Sequence, residues 1–177
     1  MDDENTRARF EALMLPLMHN AYNLARWLMK NQEDAEDMVQ ESYLRAFRFF
    51  GSFREGTNCR AWLLRIVRNT CYTALAARKQ REKEVRFEEE AGEVEDPSPL
   101  PSVSLAKKAT IETVREAIAA LPVDFREAVV LRELEGLSYK EISNVSGVPI
   151  GTVMSRLARG RHLLYLMLSE RKEHDQI

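Results

Sequence analysis

The segment Leu137–Leu164, LSYKEISNVSGVPIGTVMSRLARGRHLL, constrains this chain more than any other. Ser138 stands three residues before Glu141, the spacing at which side chains at a helix start cap each other's free backbone N–H groups. Tyr139, Ile142 and Val145 then recur at helical spacing up to Gly147. Pro149 or Thr152 opens a second helix, whose apolar positions are Ile150, Val153, Leu157, Leu163, Leu164 and Leu168. A short capped helix, a Gly-containing turn and a longer helix form the helix-turn-helix pattern. Ile142, Val145 and Val148 are placed to lock the pair, and Val153 and Leu157 to bury the inner face of the second helix. The outer face then offers Thr152, Met154, Ser155, Arg156 and Arg159, with Arg161 beyond. Hydroxyls and free N–H groups at a helix start hold phosphate. Arg156 has the reach for guanine edges in a major groove, and Arg159 and Arg161 for bases or backbone. The competing reading is a solvated arginine face on an ordinary helical hairpin.

Net charge decides little here. The total over 177 residues is -2, yet Arg54–Arg81 holds six Arg and one Lys against Glu55 alone, and Gly151–Leu168 holds three Arg and no acid. EDAED at 33–37 and EEEAGEVED at 88–96 carry the balancing charge. Such segregation points to separate anion- and cation-seeking faces. No run approaches the roughly 20 apolar residues of a membrane span, and the acidic start MDDENTRARFE is unlike a signal peptide, so a cytoplasmic protein is expected. Cys59 and Cys71 with three scattered histidines build neither a disulfide scaffold nor a zinc site; they read as two semi-buried thiols.

Apolar spacing predicts an all-α chain: two small helical domains joined by an acidic, Pro-containing flexible linker, with the helix-turn-helix in the second. The first block covers 1–83. Phe10, Leu13, Met14, Leu17, Tyr22, Leu24, Ala25 and Leu28 recur at helical spacing from about Arg7, with Pro16 as either a bend or a late helix start. A second helix runs over Glu33–Phe49, with Ala35, Met38, Val39, Ser42, Tyr43, Ala46 and Phe47 inward. GSFREGTN at 51–58 is a loop by composition, followed by a long helix over Cys59–Ala77 with Trp62, Leu63, Ile66, Val67 and Thr70 buried. Residues 84–105, acid-rich and then PSPLPS, read as linker. The block 106–177 holds a helix ending at Leu121, another from Pro122 stopped at Glu135-Gly136, and then the helix-turn-helix.

Two stretches carry a family resemblance. LPVDFREAVVLRELEGLSYKEISNVSGVPIGTVMSRLARGRHLL resembles the promoter-reading C-terminal domain of bacterial RNA polymerase sigma factors of the extracytoplasmic-function (group four, sigma-70 superfamily) type. EDAEDMVQESYLRAFRFFGSFREGTNCRAWLLRIVRNTCYTALAARKQR is similar to the core-binding and promoter-melting domain of the same family. Together they cover about residues 8–82 and 106–168, in the family's order.

The resemblance implies a promoter-specific initiation factor, with core RNA polymerase and promoter DNA as partners, the DNA both duplex and non-template single strand. Residues 1–83 would bind polymerase and melt the -10 element, and 106–177 would read the -35 element through a recognition helix from about Pro149 to Leu164. Asp34, Asp37 and Glu41 share one helix side. On residue types alone they are either a solvated acid face or a docking face. The family makes them the dock for the polymerase β′ coiled coil, bordered by Arg45 and Arg48, with β as a further contact. In the family the loop before the basic helix captures a base flipped from the -10 non-template strand. Carried over, that loop is Phe53, Arg54, Gly56, Thr57 and Asn58, with Phe53 lining or supporting the pocket. Arg60, Arg65, Arg68 and Asn69 would follow the DNA backbone. Trp62 is either a stacking residue or, more in keeping with AWLLRIV, a core one. An anti-sigma protein is a further partner implied by the family.

Many family members carry Phe where this chain has Cys59, so local packing is expected to differ. No acid–base pair, nucleophile motif, phosphate loop or metal set stands out, so no enzyme activity, cofactor or metal is expected. The nearest rival is a regulator that binds duplex DNA without polymerase. It leaves the acidic helix and FREGTN unexplained, as a protein-binding adaptor leaves both basic faces unexplained.

Overall fold

In the computed structural model the described residues are 2–88 and 106–174, with side chains described over 4–85 and 110–170. All the regular structure among them is helical: α1 Asp2–Met14, α2 Met18–Met29, α3 Gln32–Phe49, α4 Cys59–Glu88, α5 Ala106–Ala120, α6 Val123–Val129, α7 Tyr139–Ser146 and α8 Ile150–His174. Short tight segments fill Leu15–Leu17 and Phe50–Ser52, and a wider π turn Val130–Leu134 continues α6.

Local signals account for most boundaries. Pro16, which lacks an N–H, sits in the tight turn between α1 and α2 and separates them. Lys30 ends α2 in the left-handed region at φ 62°, and Asn31 caps α3 by accepting from Asp34 N at 3.0 Å. Gly147 closes α7 in the same left-handed conformation at φ 70°. Two boundaries move outward. The first helix starts before Arg7, at Asp2, and α4 continues past its expected end at Ala77, and past Lys83, to Glu88. The 78–88 segment RKQREKEVRFE is composed of good helix formers, and Gln80 supports the next turn through a bond to Glu84 at 3.0 Å. The first five residues assigned to the linker are therefore helical. The rest, 89–105, lies outside the described residues.

The N-terminal domain stacks α2, α3 and α4 around Leu24, Leu28, Ala35, Val39, Ala46, Leu63 and Val67, all buried. Tyr43 ties α3 to the end of α1 by donating to Met14 O at 2.7 Å. Phe47, expected inward, is instead 42% exposed, with its ring edge against Phe10. The C-terminal domain packs α6 on α8, and α5 and α7 close it. Gly160 permits the α6–α8 approach: a Cβ there would lie 2.8 Å from Val129 Cγ2. Ile150, expected inward, is 45% exposed on the first turn of α8.

The two domains are more than tethered. α4 lies along α7, α2 meets α6 and the π turn, and the buried side chains of both domains form one continuous apolar cluster. This explains why α4 buries more than its expected face. Leu64 and Cys71 are fully covered as well.

Candidate nucleic-acid interface

The helix-turn-helix is built from the residues that announced it. Glu141 N donates to Ser138 Oγ at 3.2 Å, and Ser138 N to Glu141 Oε2 at 2.7 Å. Ser143 Oγ donates to Val148 O at 2.6 Å and holds the turn. Ile142, Val145, Val153 and Leu157 are buried between the helices. The Ser138 backbone N–H holds the Glu141 carboxyl below the ordinary carboxylate range against the opposing effect of burial. The Ser138 hydroxyl, the Arg60 charge and the Asn58 amide add to it.

The outward face of α8 divides. Met154, Ser155 and Arg159 are exposed, and Arg161 is exposed but paired with Glu133, Nε to Oε1 at 3.0 Å. Thr152 is half-buried. Arg156 departs from its expected outward position. Its side chain is 20% exposed and its Nη2 lies 3.5 Å from Asp124 Oδ2 on α6, with Nη1 buried and without a partner. In this conformation Arg156 braces α8 against α6, and Met154, Ser155 and Arg159 are the residues of the outer face that stay open to solvent.

The loop before α4 is open. Arg54, Gly56, Thr57 and Asn58 are exposed, Gly56 takes φ 84°, and Thr57 folds back with its hydroxyl donating to Arg54 O. Phe53 sits behind the loop, stacked on Phe50 at 5.7 Å and edge-on to Trp62 at 5.1 Å. Phe53 therefore supports the loop, and Trp62 belongs to that aromatic cluster, as its sequence context suggested. Asn58 Oδ1 accepts from Ala61 N at 3.0 Å and starts α4, while its Nδ2 donates to Glu141 of α7.

On α4, Arg65 and Asn69 face solvent, one turn apart. Arg60 is half-buried, and Arg68 turns into the seam between the domains. There its Nε donates to Glu127 Oε1 at 2.7 Å, with the guanidinium 3.7 Å above the Tyr72 ring. Burial pulls the Arg68 pKa down, and the bond and charge of Glu127 overcome it, so the net direction is upward. The candidate strand-following residues thus split into an exposed pair and a seam residue.

The acidic stripe lies on α3. Asp37 is exposed, Asp34 is held by Arg78 of α4 at 2.6 Å, and Glu41 pairs with Arg45 at 2.7 Å; Arg48 is exposed. Sequence reasoning missed Leu44, which stands in the same stripe and is 60% exposed. Its signal was the spacing itself: Asp37, Glu41, Leu44 and Arg48 follow one helix face at intervals of three and four. A large apolar side chain rimmed by charge is a usual mark of a protein contact.

Fold and faces together define a two-domain helical protein with a helix-turn-helix, two arginine-rich helices and a separate acidic stripe around an exposed leucine. Comparison with known proteins makes the assignment specific. Residues 14–81 match the model of sigma-70 region 2, and residues 111–164 that of sigma-70 region 4. The chain is 34% identical over 161 residues to the RNA polymerase sigma-H factor of Pseudomonas aeruginosa, covering 88% of this chain and 83% of that one. It is 33% identical over 162 residues to the extracytoplasmic-function sigma-E factor of Escherichia coli K12, covering 88% and 84%. The sigma factor RpoE of Bartonella quintana, solved in complex with the anti-sigma factor NepR, superposes with a TM-score of 0.73 at 28% identity, over 91% of this chain and 97% of that one. CnrH, solved with the cytosolic domain of CnrY, shares the fold at a TM-score of 0.64 and 22% identity, over 93% and 90%. The chain belongs to the extracytoplasmic-function sigma factors of bacterial RNA polymerase, and its function is promoter-specific initiation of transcription.

Proposed function

We propose that the family function is divided along the chain as follows. Residues 1–83 bind core polymerase and the -10 element, 84–105 connect, and 106–177 read the -35 element. The α3 stripe Asp34, Asp37, Glu41, Arg45 and Arg48, centred on Leu44, docks on the β′ coiled coil. The loop Arg54, Gly56, Thr57 and Asn58, backed by Phe53, takes up a base of the opened strand, and Arg60, Arg65, Arg68 and Asn69 follow its backbone. The outer face of α8, meaning Thr152, Met154, Ser155, Arg159 and Arg161, enters the upstream duplex, and Arg156 joins it on release from Asp124.

The observation that carries this division is the exposure of Leu44 within the acidic stripe, on a helix whose other side is already buried in the core. The protein acts by binding rather than by chemical catalysis. It selects the open over the closed duplex, and it can shift that equilibrium only as far as its affinities for the two differ. No described helix is long and apolar enough to cross a membrane, and the working site is with polymerase in the cytoplasm. The RpoE complex with the anti-sigma factor NepR motivates an anti-sigma protein as a partner here as well.

The test is reconstitution with core polymerase on a promoter library. Asp37→Ala and Leu44→Ala are each expected to weaken core binding and transcription while leaving the C-terminal domain's duplex affinity unchanged. Unchanged core binding in both variants would remove the α3 assignment.

A further inference from the structure

The first two turns of α8 carry two apolar side chains that the fold leaves uncovered. Ile150 is 45% exposed and Met154 53%. Four residues apart, they stand as neighbours on one side of the helix. Neither belongs to the set that fastens α8 to α7, which is Ile142, Val145, Val153 and Leu157. Gly151 and Ala158 lie beside the pair and are exposed as well. A Cβ on Gly151 would meet nothing within 4 Å, so no packing inside the chain calls for glycine there. Glycine weakens a helix, and here it keeps the outer face low enough for close approach.

The polar neighbours are largely engaged within the chain. Arg156 Nη2 lies 3.5 Å from Asp124 Oδ2, and Arg161 Nε donates to Glu133 Oε1 at 3.0 Å. The Ser155 hydroxyl donates to Thr152 O at 3.0 Å. Arg159 is exposed one turn beyond Ser155. The start of α8 therefore offers an incoming duplex mainly carbon. Among the four bases, thymine presents a methyl group at the major-groove edge, where the others present ring nitrogens, carbonyl oxygens and amino groups. A methionine side chain is unbranched and polarizable, and it moulds itself to such a contact.

We propose that Met154, supported by Ile150, is a specificity-determining residue for the upstream element and reads the C5 methyl of a thymine. The inference rests on the duplex-reading role proposed for the outer face of α8, and it adds the base and the chemical group that are read. The upstream element of this factor then holds an A·T pair opposite Met154. Because the contact is apolar, the preference for a methylated base stays constant as salt rises, while overall affinity falls with the phosphate contacts.

The experiment uses the full chain with core polymerase on duplex promoters selected from the library. Each thymine of the upstream element, on either strand, is replaced singly by 2′-deoxyuridine, which removes the methyl group and nothing else. Affinity is read by competition in electrophoretic shifts. At one or two positions the loss is expected to be roughly three- to tenfold, the worth of burying one methyl group. Met154→Ala is expected to bind the thymine and deoxyuridine duplexes equally at that position, and Met154→Leu to keep part of the difference. Ile150→Ala narrows it by less. A merely structural role for Met154 would change both affinities together and leave their ratio intact. An upstream element in which no thymine is sensitive to loss of its methyl overturns the inference, as does the same ratio in wild type and Met154→Ala. Weaker binding of core polymerase by Met154→Ala, with the ratio unchanged, assigns the apolar pair to a protein contact and overturns it too. Failure of the proposed function looks different: polymerase carrying this chain then selects no upstream element at all, and this inference falls with it.

Discussion

α4 and α8 make an instructive pair. Each carries a row of arginines with few or no acids nearby in sequence, and each is proposed to touch DNA. α8 keeps Met154, Ser155 and Arg159 open to solvent on a helix locked from behind by α7. α4 keeps Arg65 and Asn69 open but surrenders Arg68 to a buried carboxylate 59 residues away. A cation-rich stretch is therefore not the same thing as an available cationic surface. What matters is where the compensating acids lie after folding, and here they lie on the other domain.

The difference is sharpest within α4. Arg68→Ala leaves Glu127 buried without its cation, so stability in chemical denaturation should fall by about 3–5 kcal/mol, less whatever seam opening recovers by hydrating Glu127. Arg65→Ala, one turn earlier and exposed, should change stability by no more than about 0.5 kcal/mol. Equal effects would mean that the seam contributes nothing to the fold. The double variant Arg68→Met with Glu127→Leu tests the same point, since an apolar pair of similar volume should restore much of the loss.

On α8 the comparison moves to function. Arg159→Ala should weaken binding of the upstream element by about 1–3 kcal/mol if it makes a paired guanine contact. Arg156→Ala should show a loss on DNA only insofar as Arg156 leaves Asp124, and a stability change otherwise. Electrophoretic shifts on the selected promoter, with thermal melts of the same variants, separate the two arginines.

The capping box offers a pH test. The Glu141 pKa is depressed in the folded chain, so its contribution is fully present above the unfolded value and is lost as pH falls through the folded one. Helix content and melting temperature of wild type should therefore drop on acidification below the ordinary carboxylate range. Part of that drop should be missing in Glu141→Gln, which already lacks the charge.

The smallest expected effect concerns the thiols. Burial, with Glu127 nearby, pushes the Cys71 pKa up to about 12, and burial raises that of Cys59. A thiol so placed is protonated at neutral pH and slow as a nucleophile. Ellman's reagent should label the partly exposed Cys59 first and Cys71 only as the seam opens.

Much of this architecture was legible in the chain because the responsible interactions are local. The Ser138–Glu141 capping box, the Gly147 stop and the Pro16 break all act over three or four residues. Charge segregation likewise marked both basic helices. The seam was not legible. Asn20 meets Glu135 across 115 residues and Tyr72 meets Asp124 across 52, so no periodicity connects them. On the helix from Pro122, Arg126 and Glu127 are both buried, which no local pattern in PVDFREAVV announces. Arg126 Nη1 donates to Ala119 O and Leu121 O at 2.9 Å, completing the end of α5. Arg156 was misplaced for a related reason. Helical spacing fixes where Cα points, but a long side chain follows whichever carboxylate lies within reach.

The central claim is that the two domains meet through surfaces that are needed elsewhere when the factor works. The most direct measurement is the distance between fluorophores at the exposed positions Ala12 and Tyr165, in the free chain and then bound to core polymerase at a promoter. A high-transfer state in the free chain that converts to low transfer on engagement is the expected result. Unchanged high transfer in a complex that transcribes would contradict it, because the seam would then be part of the working form.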